Sequence, residues 1–320
     1  MDQPGLQARA LIALLAFTWA APIFGAAHST GRTRAEAGFS LGGLPSGSIV
    51  PQPVRLREGR GLGLLVTAWV NGAGPYIFAV DTGAGATLIR SEIARRSGLM
   101  AGNGRRTQIG GLSSNRVVSA EQVIINSLAL GQSNNLFPAG HHAFIVSELP
   151  SGIDGILDPT EAYEPFGYVI DMPNRELLAF DTTANRLKVG NEPAGGAIVR
   201  WVREGGGKRP FVRLGDNRLA LIDTGSGFGL AITQESTASR KNHRARATVR
   251  DFGGGAVTSR RVEPTTVTIG SLVLRRVPTD ILIGAHEDVP VLLGRDALYP
   301  FRITFDPSSR LIEIAPSQEN

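Results

Sequence analysis

The chain has 320 residues, 42% of them apolar and 19% charged, with a formal net charge of +5, which suits a globular protein long enough for one or two cored domains. It has no cysteine, so disulfides, thiolate metal sites and cysteine nucleophiles are excluded. The 40 glycines and 19 prolines, with few long helical patterns, favour a mainly β, turn-rich fold, and the mild basicity comes without a nucleic-acid-binding motif, so no nucleic-acid partner is expected.

The N-terminus carries one early cation, Arg9, then the apolar run Ala10–Ala21, then the small residues Gly25-Ala26-Ala27. That order predicts a secretory signal peptide over residues 1–27, too short and too soon interrupted by Pro22 to serve as a lasting span. The expected product is secreted or periplasmic, without a stable membrane anchor after cleavage; export without cysteine suits a bacterial periplasm. Residues 28–47 are rich in Gly, Ser, Thr and Arg without a period and predict a disordered leader.

Strand signals begin after Ser48. Leu62–Val70 and Pro75–Val80 flank Asn71-Gly72-Ala73-Gly74, a hairpin signal. The return strand delivers Asp81-Thr82-Gly83-Ala84. Ser91–Arg96 predicts a short amphipathic helix with its charges toward solvent. His141-His142 lacks a metal-ligand spacing and is expected in a loop, with no metal and no other cofactor. In the second half, Pro210–Leu214 and Arg218–Ile222 flank the turn Gly215-Asp216-Asn217 and deliver Asp223-Thr224-Gly225-Ser226. The basic run Arg240–Arg246 is expected to be a solvated loop.

The two halves share a longer plan. Thr87-Leu88-Ile89 follows the first Asp-Thr-Gly, and Leu230-Ala231-Ile232 follows the second. The glycine pairs Gly110-Gly111 and Gly253-Gly254 begin 29 and 30 residues after the respective aspartates. Gly155-Ile156-Leu157-Asp158 answers Val291-Leu292-Leu293-Gly294, and Tyr168–Leu177 answers Arg302–Leu311. This internal duplication predicts an N-terminal lobe over 48–182, a connection over 183–209 and a C-terminal lobe over 210–320, related by an approximate two-fold axis on which Asp81 and Asp223 meet. A carboxylate at the buried end of a strand is costly unless paired, and two in matching contexts are each other's natural partners.

On these motifs the chain resembles the pepsin-type aspartic peptidases, with the phrase Leu292-Leu293-Gly294-Arg295-Asp296 and the glycine-rich segments closest to the retropepsin-like branch. The resemblance covers about residues 48–316. It implies a two-lobed, mainly β double barrel with pseudo-two-fold symmetry. It also implies an endopeptidase in which Asp81 and Asp223 share a proton and activate water. Thr82, Gly83, Ala84, Thr224, Gly225 and Ser226 would support the dyad loops, and Gly110, Gly111, Gly253 and Gly254 would lie in flaps over an extended peptide or protein substrate. A monomer suffices, since one chain supplies both acids. The other reading is a catalytically inactive peptide-binding module, a sensor or inhibitor, on the same fold. Two departures stand out. Asp158 replaces the glycine expected in the first lobe, and neither flap has the pepsin-type tyrosine. A Ser226 hydroxyl donating to Asp223, with no such donor from Ala84, would make Asp223 the more acidic member.

Overall fold

The structure, a computed structural model, describes residues 11–13, 17–19, 50–99, 106–113, 116–204, 207–233 and 246–317. The expected leader at 28–47 and the basic run as far as Ala245 lie outside them. Strands dominate, and short helices punctuate them at Ser91–Arg96, Pro159–Ala162 and Arg295–Leu298. The first of these is amphipathic as its sequence predicts, with Ile93 and Ala94 buried and Arg95 and Arg96 exposed.

Two large sheets carry the duplication strand for strand. In the first lobe the order runs Gly63–Val70, Ala73–Val80, Gly155–Leu157, Thr87–Arg90, His141–Val146, Val117–Ile125, Arg106–Gly110. In the second it runs Phe211–Arg213, Leu219–Asp223, Val291–Gly294, Leu230–Thr233, Leu272–Ile283, Ala256–Ile269, Arg246–Asp251. The parallel and antiparallel pairings match as well: the strand leading to each Asp-Thr-Gly lies parallel to the short apolar strand beside it, with Val80 opposite Leu157 and Asp223 opposite Gly294. The first hairpin turns at Asn71-Gly72, both at positive φ, as a two-residue turn of this type requires. The return strand starts at Ala73 rather than at Pro75.

Both sheets end on N-terminal strands. Leu11–Ala13 adds parallel to Arg246–Asp251, and Phe17–Trp19 adds antiparallel to Arg106–Gly110.

The third sheet joins the halves. Its order is Ala197–Arg200, Leu311–Pro316, Phe301–Asp306, Gly167–Asp171, Glu176–Phe180, Val54–Arg55. Equivalent strands from the two halves meet at its centre in antiparallel register, Tyr168 opposite Phe305 and Ile170 opposite Ile303. Antiparallel pairing of equivalent strands is what a two-fold axis through a sheet demands. The stretch expected as a connection thus contributes a strand of its own, Ala197–Arg200. One apolar cluster runs through both halves and this sheet, including Val66, Tyr168, Ile222, Ile303 and Phe305, with Tyr168 stacked on Phe305.

One expectation fails here. His141 and His142 lie in the strand His141–Val146, not in a loop. His141 and Ala143 are buried with His142 exposed between them, and His141 Nδ1 meets the Glu161 carbonyl at 3.2 Å.

Candidate active site

Each Asp-Thr-Gly leaves the end of a buried strand, and the two loops are joined by a reciprocal set of hydrogen bonds. The Thr82 N–H donates to Thr224 Oγ1, and the Thr224 N–H donates to Thr82 Oγ1, both at 3.1 Å. Each hydroxyl then donates into the opposite lobe, Thr82 to the Ile222 carbonyl at 2.6 Å and Thr224 to the Val80 carbonyl at 3.2 Å. All four bonds are buried, where a lost partner leaves a full desolvation penalty.

This lattice puts the two carboxyls face to face. A Cβ on Gly83 would lie 2.9 Å from Asp223 Cγ, and a Cβ on Gly225 would strike Asp81 Cγ. Glycine at both positions is therefore a condition for the carboxyls to approach. Asp81 and Asp223 are both fully buried. One oxygen of each is held by its own loop: Asp81 Oδ1 accepts from the Gly83 N–H at 2.8 Å, and Asp223 Oδ1 accepts from the Ser226 N–H at 3.0 Å. The other oxygens, Asp81 Oδ2 and Asp223 Oδ2, are buried without a hydrogen-bond partner among the described residues. They are the atoms free to hold a shared proton or a water.

Residues 66–157 match the family model for aspartyl proteases. Among solved structures the chain resembles the crystal structure of an aspartic proteinase from Irpex lacteus, with a TM-score of 0.52 and 14% identity over 83% of this chain and 97% of that one. None of the curated proteins matches the sequence. The chain has the fold of a pepsin-like aspartic proteinase, and its first lobe carries the aspartyl protease family match. The likeness to the solved structure speaks for the fold alone.

Within this fold the two acids are unequal. Burial, and then the charge of Asp223, push the Asp81 carboxyl far above the usual carboxylate range. Burial raises Asp223 too, but less, because the neighbouring Asp81 carboxyl, the Ser226 and Gly225 N–H groups and the Arg295 guanidinium all favour its charged form. Asp223 is thus the more acidic member, as expected, but for a different reason. The Ser226 hydroxyl accepts from the Phe228 N–H at 3.2 Å; it is the Ser226 backbone N–H that donates to Asp223.

Asp158 finds its partner locally. Its Oδ1 accepts from the Thr160 N–H at 2.9 Å and caps the helix Pro159–Ala162. A side chain at the equivalent Gly294 would lie 2.5 Å from the Phe228 carbonyl and 2.8 Å from that of Ser226. The backbone differs at the two positions, with ψ 106° at Asp158 and −171° at Gly294, and the first lobe admits the carboxylate. Burial raises the Asp158 carboxyl to about 7, and its charge adds to the forces raising Asp81.

Two cations stand near the dyad loops. Arg295, mostly buried, donates from Nη1 to the Thr224 carbonyl at 2.6 Å and fills the space beside Gly63. Arg209 packs against Gly85, lies over the Phe211 ring at 5.4 Å and feels the charges of Asp223, Asp158 and Asp81. The arginine of the phrase Leu-Leu-Gly-Arg was in view; that it reaches back to the dyad loop is visible only in three dimensions.

Gly110 ends the strand Arg106–Gly110 and Gly111 follows it, while Gly253 and Gly254 lie between the strands Arg246–Asp251 and Ala256–Ile269.

Proposed function

We propose that the chain is an exported aspartic endopeptidase that hydrolyses peptide bonds with water activated by the Asp81–Asp223 pair. The observation that carries this reading is the pair of buried carboxyls, each with one oxygen fixed by its own loop and one without a partner, held by reciprocal threonine bonds. Two carboxyls this close and this buried hold one proton between them. Asp223, the more acidic, is the ionised general base that takes a proton from water. Asp81 keeps the shared proton and donates it to the substrate carbonyl oxygen as charge develops there. Gly225 and Gly83 leave the space in which this transfer takes place.

The substrate is an extended peptide or protein segment. The flap edges support this, since each accepts an extended strand, at present Leu11–Ala13 and Phe17–Trp19. Removal of the N-terminal segment on export frees both edges for strand addition by a substrate. One chain supplies both acids, so a monomer suffices.

The test is cleavage of casein by the purified chain between pH 3 and 8, beside Asp81→Asn and Asp223→Asn. The expected result is cleavage that each substitution abolishes. Binding of casein peptides without cleavage by the unmodified chain would favour the inactive peptide-binding module instead.

A further inference from the structure

The dyad is fully buried, so a peptide reaches it only if part of the cover moves. Two hairpin tips, around Gly110–Ser113 and Phe252–Gly255, meet across the lobes. Each tip places an apolar side chain in the other lobe's core. Leu112 packs with Phe211, Phe228 and Val249, and Phe252 packs with Leu65, Leu88 and Ile109.

Beyond this exchange the tips differ. Asp251, buried at the base of the second tip, accepts from the Ser113 N–H of the first tip through Oδ2 at 3.1 Å, and from the Gly255 N–H of its own turn through Oδ1 at 2.7 Å. Next to it the His286 N–H donates to the Leu112 carbonyl at 2.9 Å, and Ser113 forms an isolated antiparallel bridge with Ala285. The glycines make room for the carboxylate: a Cβ on Gly111 would lie 2.5 Å from Asp251 Cγ, and one on Gly255 2.6 Å from Asp251 Oδ2. The matching position in the first tip, two residues before its glycine pair, is the exposed Gln108, so the second lobe receives no reciprocal carboxylate.

A buried carboxylate is expensive, and burial accordingly pushes Asp251 upward. Arg116 favours its charged form while paired with Glu148 at 2.5 Å. A charge kept there at that cost, and spent on an N–H of the opposite flap, points to a task beyond filling space.

We propose that Asp251 is a clasp, a positioning residue that holds the first flap shut against the second lobe and sets how readily the dyad opens to substrate. The gating role rests on the peptidase reading; the clasp itself does not. Amide hydrogen exchange separates them. In the full chain carrying Asp251→Ala, residues 107–113 are expected to exchange roughly tenfold faster or more, the scale of a lost charge-assisted hydrogen bond, while strands Leu272–Ile283 and Val291–Gly294 stay unchanged. Asp251→Asn, which keeps one acceptor oxygen and turns a donor toward the other N–H, should fall between. Unchanged exchange at 107–113 in Asp251→Ala overturns the clasp. For the gate, Ser113→Cys with Ala285→Cys exploits a chain free of cysteine, since antiparallel bridge partners lie about 4.5–5.5 Å apart at Cα, within disulfide reach. Cleavage of fluorescein-labelled casein should fall at least tenfold on oxidation and return on reduction. Equal rates in the two states overturn the gate. If the unmodified chain leaves casein intact, the peptidase reading and the gate both fail, and exchange still decides the clasp.

Discussion

Single atoms decide how the two halves of the site differ. Ala84 and Ser226 suggested an asymmetry through a serine hydroxyl, and the direction survives while the hydroxyl's part does not. Ala84→Ser should therefore leave the acid limb of a pH–rate profile where it is; a displaced limb would restore the hydroxyl to the account. The threonine bonds make a second test. Thr82→Val keeps the shape and removes the acceptor of the Thr224 N–H, at a cost of about 1–3 kcal/mol for the stranded donor, read from urea denaturation; a change near zero would mean that water repairs the bond. Asp158 makes a third, with a definite sign. Its pKa is raised to about 7, so its favourable contribution is complete below the ordinary carboxylate range and is lost as pH rises through about 7. Asp158→Asn keeps the acceptor for Thr160 and cannot ionise. The two proteins should be similarly stable near pH 4, and the unsubstituted one should fall behind by on the order of 4 kcal/mol above pH 8. A constant difference across that range would contradict the burial account.

At the level of elements, the strands that carry the aspartates were legible because an apolar run ends abruptly in Asp-Thr-Gly and begins at a turn. Asn71-Gly72 could be read as a turn because both residues tolerate positive φ. The strand His141–Val146 was not legible, because histidine at an inward position masks the alternation until the Glu161 carbonyl that receives it is seen. Asp251 stands in no motif of the sequence, and only the approach of the other lobe's tip gives its carboxylate a role. The equivalence of residues 158 and 294 was readable, but not its consequence. Both positions precede a short helix, but the second lobe packs two carbonyls against Gly294 whereas in the first the Asp158 side chain caps the helix. Gly294→Ala should thus destabilise the protein by about 1–3 kcal/mol through forced overlap, while Asp158→Ala, measured near pH 4 where the Asp158 carboxyl is protonated in the fold, should cost about 1 kcal/mol, the usual worth of an N-cap. Equal costs by thermal denaturation would argue against the different chain paths.

For the whole molecule, the duplication was visible in the sequence, yet not how the copies join. Nothing in Tyr168–Leu177 or Arg302–Leu311 says that these segments pair with each other, because sequence similarity marks equivalence and is silent on contact. The joint sheet and the apolar cluster through both halves make the lobes interdependent, so fluorescence and far-ultraviolet circular dichroism should report one coincident unfolding transition; two separated transitions would mean that the lobes are independent units. All of this converges on two carboxyls brought together by residues 142 positions apart. The most direct measurement of that claim is the rate of casein cleavage by the unmodified chain, by Asp81→Asn and by Asp223→Asn, with each variant's fold verified by circular dichroism. The account predicts cleavage that either substitution alone abolishes, and cleavage that persists in either folded variant would contradict it.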